Sequence, residues 1–174
     1  IMDIALFYKY IERNDLDLKK HQIEGLKWCI HNEKYGACLG NPCAGDPCAG
    51  DPCAGDIVRG GIIADEMGLG KTILMIGVIL SNFKAKTLIV LPRALLEQWS
   101  SVFWQTTQHR ALVYHGSGKR GVTFEDLNKA PVVITTYGII SGRGAMESKG
   151  DAGSAAGSAA GSTLLHKVKW DRVI

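Results

Sequence analysis

Apolar positions along this chain fall into short continuous runs that alternate with stretches of helical spacing. The runs predict strands at 61–64, 87–91, 111–115, 132–136 and 168–174, and the spaced stretches predict helices at 18–32, 72–80 and 95–103. In the first helix, Ile23, Leu26 and Ile30 recur at i, i+3 and i+7. Asp17 is its expected N-cap. Continuous apolar strands separated by helices predict an α/β fold, in which helices cover a parallel sheet on both faces.

Two low-complexity segments interrupt this pattern. Residues 42–56 are three copies of Pro-Cys-Ala-Gly-Asp, and residues 150–162 are rich in Ala, Gly and Ser. Their composition does not suit helix or strand, so both are predicted to be surface loop insertions in one domain that spans 1–174. The cysteines of the first segment lack a nearby His or a Cys-x2-Cys pair, so they are interpreted as products of repeat expansion and not as metal ligands.

Composition and charge narrow the class of protein. With 46% hydrophobic and 21% charged residues, the chain can bury a core, and no apolar run approaches the ~18 residues of a membrane span. The odd count of five cysteines argues against a disulfide framework and favours a reducing, intracellular compartment. A net charge of +3 suits an anionic partner such as nucleic acid, but it equally fits ordinary solubility charge.

Residues 60–80 carry the most chemical information, because an apolar run, a glycine-containing turn, Lys-Thr and a helical pattern follow one another there. This is the context of a phosphate-binding loop. Gly68 and Gly70 allow a tight turn whose N–H groups face phosphate oxygens, and the positive end of the following helix favours the same anion. Lys71 would reach the β and γ phosphates, and the Thr72 hydroxyl would coordinate Mg²⁺.

The sequence ADEMGLGKT at 64–72 resembles motif I of the Swi/Snf-type ATPases, a branch of the superfamily 2 helicases. The strict phosphate-loop pattern has Gly where this chain has Asp65, and that family commonly carries Asp there. The resemblance implies a P-loop, RecA-like fold, the first of two such lobes, with ATP and Mg²⁺ as cofactors. The implied nucleotide contacts in the loop are Met67, Gly68, Leu69, Gly70, Lys71 and Thr72. Of these, Lys71 and Thr72 are the implied catalytic residues, and Thr72 is the implied contact to Mg²⁺.

Three further segments match the same family in the same order. LKKHQIEGLKW at 18–28 resembles its entry segment, which makes Gln22 the residue that contacts the adenine edge. An amide suits that contact because it both donates and accepts hydrogen bonds. LIVLPRALLEQW at 88–99 resembles motif Ia, and VVITTYGII at 132–140 resembles motifs Ib and Ic. The residues implied to contact the phosphate backbone of DNA are Pro92, Arg93, Thr135, Thr136 and Tyr137.

Each of these positions also has an ordinary structural interpretation. Taken alone, Gln22 would be a surface helix residue and Pro92 the start of a helix after a strand. Trp99, within motif Ia, is interpreted as a core aromatic residue. Thr135 and Thr136 alone would be β-branched strand residues.

The final segment, VKWDRVI at 168–174, resembles the strand that leads into the DEAH-type motif II, whose acidic pair holds Mg²⁺. We therefore expect a fragment that ends before motif II and lacks the second RecA-like lobe with its arginine finger. Asp171 lies on the predicted strand and is not assigned to the acidic pair. On this expectation the chain alone hydrolyses no ATP, whereas the full-length protein is a DNA-dependent ATP hydrolase.

The function that the resemblance implies is ATP-driven translocation along double-stranded DNA through sequence-tolerant backbone contacts. Two alternatives stay open. One is a strand-separating superfamily 2 helicase that acts on DNA or RNA, and the other is a non-catalytic nucleic-acid-binding or scaffold remnant. The sequence DEMGLGKT at 65–72 favours the translocase over the helicase. The implied location is nuclear for a cellular protein, and a viral origin fits equally.

Overall fold

A computed structural model describes residues 5–39, 56–141 and 163–174. Most of the repeat at 42–56 and all of the segment at 150–162 lie outside the described residues, so their predicted loop character stays a prediction. The chain divides into two compact units, Ile1–Phe83 and Lys84–Ile174. No helix within the described residues is long and apolar enough to cross a membrane.

The first unit is built on three helices. These are α1 (Ala5–Arg13), α2 (Lys20–Tyr35) and α3 (Lys71–Ser81), and two short antiparallel strands, β1 (Ala37–Leu39) and β2 (Asp56–Val58), pair between α2 and α3 in the chain. Both α1 and α2 pack against α3, because their buried side chains meet there. Gly77 of α3 allows the closest approach, since a Cβ at this position would collide with the ring of Phe7.

Helix α2 confirms the predicted helix but corrects its start. Leu26 and Ile30 are fully buried, as their spacing predicts, while Ile23 is half-buried. The N-cap is Lys19, in extended conformation and without a side-chain cap, so Asp17 is not the N-cap. A capping carboxylate must reach the second or third helical N–H, and a helix that begins at residue 20 places Asp17 too early.

The strand predicted at 61–64 is not formed, and that prediction is wrong for this segment. Gly60 has φ +146°, the four residues have no regular secondary structure, and Ile62 is 87% exposed. The ring of Trp28 lies directly against Gly61, at the place a Cβ would occupy. A four-residue run needs a neighbouring strand to pair its backbone groups, and within the described part of this unit it has none.

The second unit contains a four-stranded parallel sheet. Its strands are β3 (Thr87–Leu91), β4 (Leu112–Val113), β5 (Val132–Thr136) and β6 (Arg172–Val173), in the spatial order β4-β5-β3-β6. Its helices are α4 (Leu96–Thr107), α5 (Phe124–Lys129) and α6 (Tyr137–Ile140), with single 3₁₀ turns at Arg93–Leu95, Gly116–Lys119 and Leu164–Lys167. All three pairings are parallel, so the predicted α/β class with a parallel sheet is confirmed.

The register of β3 against β5 positions the residues that follow the two strands. Thr87 pairs with Val132 and Leu91 pairs with Thr136, so the two strands end together at one edge of the sheet. The whole of β5 is buried, and β3 is nearly so, as expected for strands covered on both faces. Trp99 of α4 is also buried, which confirms its interpretation as a core residue.

Candidate functional site

The loop before α3 has the backbone conformation of a phosphate cradle. Residues 67 and 68 form a turn, and Gly68 and Gly70 have φ angles of +88° and +83°. Glycine adopts this left-handed region at little cost, whereas a residue with a Cβ is strained there. The two glycines therefore shape the loop as the sequence predicts.

Helix α3 presents its N-terminus to this loop without a side-chain cap. Gly70 is the N-cap and has no side chain to bond the N–H groups of the first turn. The first backbone hydrogen bond that returns to it runs from the Leu74 N–H to the Gly70 carbonyl, at 3.0 Å. N–H groups left open at a helix start, together with the helix dipole, form a site that attracts anions.

Lys71 is folded back onto the loop. Its Nζ donates to the backbone carbonyls of Asp65, at 2.7 Å, and Glu66, at 2.8 Å. Both acidic residues are exposed, and the hydrogen bonds that they accept from Lys71 are made by their backbone carbonyls. Lys71 would have to exchange these carbonyls for a phosphate oxygen, and the ammonium suits either partner because it carries three donors and no acceptor.

Two side chains of α2 meet the loop at one carbonyl. Gln22 Nε2 donates to the Leu69 carbonyl at 3.2 Å, and His21 Nε2 lies 3.1 Å from the same oxygen. Gln22 is only 3% exposed, so it is not a surface residue, and the structure brings it to the predicted loop. A Cβ at Gly70 would collide with the Gln22 amide nitrogen. Sequence reasoning missed His21, although its place beside Gln22 was the available signal.

The side-chain oxygen of Gln22 has no hydrogen-bond partner among the described residues. Gln22 Oε1 is buried and makes no hydrogen bond to any of the residues that the structure describes. A buried acceptor without a donor costs about 1–3 kcal/mol, so such an atom indicates a missing ligand group or water.

The remaining loop residues differ in exposure. Met67 is 96% exposed and Leu69 is 36% exposed, whereas Thr72 is half-buried in the first turn of α3. The described residues contain no group of three or more His, Cys, Asp or Glu that could hold a metal ion. The cysteines of the repeat lie outside the described residues.

In the second unit, the predicted nucleic-acid contacts gather at the edge where β3 and β5 end. Pro92 and Arg93 follow β3 and are exposed, and Tyr137 follows β5 with 60% of its surface exposed. Because Leu91 and Thr136 are register partners, these residues leave the sheet at the same edge. The structure therefore places Pro92, Arg93 and Tyr137 at one edge of the sheet, and their contact with nucleic acid stays a prediction.

The two predicted threonines do not share that exposure. Thr135 is fully buried and its hydroxyl donates to the Tyr114 carbonyl at 2.9 Å. Thr136 is 5% exposed, and its hydroxyl lies 3.1 Å from His115 Nδ1. Their predicted role as phosphate donors is not supported, because both hydroxyls are used inside the protein. The ordinary interpretation as β-branched strand residues fits them better.

Asp171 has a structural contact. It precedes β6 by one residue, and its carboxylate accepts from the Lys86 N–H at 3.1 Å. This bond joins the start of β6 to the start of β3, which agrees with leaving Asp171 out of the acidic pair.

A groove in the second unit contains none of the predicted site residues. It has a volume of about 690 Å³ and lies along α4 and β4, with the Arg110 guanidinium 5.2 Å from the centre of the Trp104 ring. Its lining includes apolar, hydroxyl and charged side chains in mixture, with no concentration of one chemistry.

Comparisons with known proteins identify the family. A family model described as the SNF2-related domain matches residues 21–174. An uncharacterized ATP-dependent helicase of Schizosaccharomyces pombe is 32% identical over 71% of this chain, and the DNA repair protein rad8 of the same yeast is 30% identical over 66%. The chain covers 11% and 12% of these two relatives, about a tenth of their length.

A solved structure shares the fold. The SWI2/SNF2 ATPase core of Sulfolobus solfataricus, solved in complex with double-stranded DNA, matches 90% of this chain and 25% of its own chain. The TM-score is 0.58 and the sequence identity is 22%. At this identity the likeness concerns the fold alone.

Proposed function

The chain belongs to the SNF2-related domain family, and from this premise we propose that it is the ATP-binding lobe of an ATP-dependent double-stranded-DNA translocase. One observation carries the proposal. Gly68 and Gly70 adopt left-handed backbone conformations just before the uncapped N-terminus of α3. The side chains of Lys71 and Gln22 both donate to backbone carbonyls of the same loop.

The loop would bind the polyphosphate chiefly through its backbone. The first-turn N–H groups of α3 would donate to phosphate oxygens, since no side chain caps them. Lys71 would leave the carbonyls of Asp65 and Glu66 and bind a phosphate, which offers a full negative charge in place of two dipoles. The loop is exposed, so this exchange requires no opening of the core.

The base would be held by Gln22. Its buried Oε1 is the unpartnered acceptor, and the exocyclic amine of adenine is a matching donor. One hydrogen of Nε2 is directed to the Leu69 carbonyl, which leaves the second amide hydrogen for adenine N7. A guanine base presents a carbonyl where adenine presents the amine, so the same amide would disfavour it.

A divalent cation would be coordinated by the Thr72 hydroxyl together with phosphate oxygens. The Thr72 hydroxyl sits in the first turn of α3, and Mg²⁺ usually takes few protein ligands when phosphates are present. When bound, Mg²⁺ neutralises charge on the β and γ phosphates. The chain's own part is to hold the polyphosphate against the helix N-terminus.

Calorimetric titration with ATP tests the loop. Lys71→Ala should weaken binding by about tenfold or more, because it removes a charge-assisted bond, while the unfolding midpoint stays unchanged. Lys34→Ala, which removes an exposed lysine from α2 in the same unit, is the matched control and should bind ATP like the parental chain. Equal ATP affinity of the parental chain and Lys71→Ala would contradict the assignment of this segment as a phosphate-binding loop.

DNA would be contacted at the edge where β3 and β5 end. Arg93 supplies a positive charge there, and the exposed ring and hydroxyl of Tyr137 lie at the same edge. Both are exposed beyond buried strands, which would allow them to contact a phosphate backbone without entering a groove. Such contacts fix position on a duplex but carry no sequence information.

Fluorescence anisotropy with duplexes of unrelated sequence tests this contact. Arg93→Glu should weaken binding to every duplex by a similar factor, about three- to tenfold, and reduce the salt dependence. Lys129→Glu is the control, because Lys129 ends α5 ahead of β5 and so lies at the opposite edge of the sheet. A loss that varies with DNA sequence, or an equal loss in the control, would contradict the proposal.

Two other functions can be separated from translocation by assays on the full-length protein. A strand-separating helicase would displace one strand of a duplex, and a non-catalytic remnant would turn over no ATP. We propose DNA-stimulated ATP hydrolysis without strand displacement. The predictions that the present chain alone hydrolyses no ATP, and that the whole protein is nuclear or viral, stay predictions.

A further inference from the structure

The carbonyl of Leu69 receives two side-chain contacts from consecutive residues of α2. His21 Nε2 lies 3.1 Å from this oxygen and Gln22 Nε2 lies 3.2 Å from it. A carbonyl oxygen has two lone pairs, so both donors can be satisfied at once. The two contacts span 48 and 47 positions of sequence, so they tie the loop to a distant helix.

The Leu69 carbonyl belongs to the peptide group that joins Leu69 to Gly70. Gly70, on the N–H side of this group, lies in the left-handed region and rotates easily, and Gly68, one residue before Leu69, lies there as well. A trans peptide is planar, with its C=O and N–H pointing in opposite directions. A hydrogen bond that holds the carbonyl towards α2 therefore aims the Gly70 N–H away from α2.

From this geometry we infer that His21 is a positioning residue for polyphosphate, which holds the Leu69–Gly70 peptide so that the Gly70 N–H is presented to a phosphate oxygen. The inference rests on the proposed function of the loop. His21 does not touch the ligand in this arrangement. Its Nε2–H fixes the peptide plane, and Gln22 can then serve the base through Oε1 without being the sole support of the loop.

The immediate surroundings of His21 agree with a supporting role. The side chain is half-buried, and the neighbouring Lys20 pairs with Glu24 on the exposed face of α2 at 3.7 Å. The contacts to the Leu69 carbonyl come from His21 and Gln22, both in the first turn of α2.

The test compares two substitutions of His21 in the 174-residue chain, titrated calorimetrically with ATP and with tripolyphosphate. Tripolyphosphate is the probe for the phosphates alone. His21→Leu removes the donor, whereas His21→Gln keeps an N–H donor at a similar distance from the backbone. His31→Leu is the matched control, because His31 lies on the same helix with its ring against Tyr35, 4.9 Å between centres.

We expect His21→Leu to weaken ATP and tripolyphosphate binding by the same factor, about three- to tenfold, the size of one hydrogen bond. His21→Gln should restore both affinities to within about twofold of the parental values, and His31→Leu should change neither. A residue that only stabilised the fold would not show rescue by an amide together with equal losses for the two ligands.

Three results would overturn the inference: unchanged affinity in His21→Leu, equal losses in the Leu and Gln variants, or a loss confined to ATP. The last would indicate a contact to the base. An Nδ1–H tautomer of neutral His21, read from its ring ¹⁵N shifts, would overturn it independently, because Nε2 would then carry no hydrogen to donate. Equal ATP binding by the parental chain and Lys71→Ala would instead overturn the proposed function, and this inference with it.

Discussion

The phosphate loop of the first unit and the sheet edge of the second unit position their candidate contacts differently. In the loop, two glycines in the left-handed region and two side chains of α2 hold an exposed segment, onto whose carbonyls Lys71 is folded back. At the sheet edge, strand register places the residues, and the whole of β5 is buried.

This difference changes what a sequence motif indicates. In the loop, the motif residues are themselves the proposed ligand contacts, because binding there would be chiefly through the backbone. On the strand, Thr135 and Thr136 have their hydroxyls paired inside the protein, and the exposed group is the next residue, Tyr137. The motif at the end of β5 therefore contains buried residues that support the sheet, and the proposed contact is the exposed residue that follows them.

The largest effect is expected at Gly70. Gly70→Ala introduces a Cβ at φ +83° that would also collide with the Gln22 amide, so the loop must change shape. We expect at least about tenfold weaker ATP binding and a loss of about 1 kcal/mol in unfolding free energy. Gly118→Ala is the control, since its Cβ would meet only the Val113 carbonyl at 3.5 Å. Normal ATP binding by Gly70→Ala would show that the loop tolerates another conformation.

Two substitutions at the end of β5 distinguish a residue that stabilises the fold from a residue proposed to contact DNA. Thr135→Val keeps the shape but leaves the Tyr114 carbonyl without its donor, so unfolding in urea should show a loss of about 1–3 kcal/mol with DNA affinity unchanged. Tyr137→Ala should weaken DNA binding and leave stability nearly unchanged, because the ring is exposed. The opposite pattern would mean that the strand itself contacts DNA.

A smaller effect is expected at the start of α5, which lies in the second unit away from any predicted contact. Thr123 accepts from the Asp126 N–H at 3.2 Å, and the Asp126 carboxylate accepts from the Thr123 N–H at 2.8 Å, which forms a capping box. Thr123→Ala removes the cap and should lower the unfolding free energy by about 0.5–1 kcal/mol, measured in urea, with ATP and DNA binding unaffected.

The contribution of this capping box to stability depends on pH in a defined direction. The backbone N–H of Thr123, and then its hydroxyl, hold the pKa of Asp126 below its ordinary value of 3.8. The contribution of this lowered pKa to stability is therefore complete above pH 3.8 and is lost as the pH falls through the lowered value. The stability difference between the parental chain and Thr123→Ala should shrink in that acid range, and a difference that grows there would contradict the capping box.

The smallest effect is expected from shortening the repeat. Leu39 and Asp56 are partners in the antiparallel pair of β1 and β2, so residues 40–55 connect two chain ends that are already adjacent. Replacing this segment with eight Gly and Ser residues halves the loop and should raise stability by only about 0.6 kcal/mol. Thermal unfolding checks it, and zinc that co-purifies in stoichiometric amount would contradict the interpretation of the repeat cysteines.

Features that depend on residues close together in the sequence could be predicted from it. The strands Thr87–Leu91 and Val132–Thr136 and the helix Lys71–Ser81 follow from apolar runs and spacing, and all three are confirmed. The left-handed glycines of the phosphate loop follow from the loop pattern itself. Local conformational preference is enough in these cases, because each element satisfies most of its own backbone hydrogen bonds or pairs along a continuous apolar run.

Which polar groups are buried, and which contacts join distant segments, depends on the tertiary structure. The apolar pattern was enough to predict the parallel α/β class and the position of the candidate phosphate loop, but it could not show that His21 and Gln22 meet Leu69 or that the hydroxyl of Thr135 is enclosed. It also predicted a strand at 61–64, where Ile62 is exposed. A strand and a buried hydroxyl both need partners from elsewhere in the chain, and the pattern of one segment does not specify them.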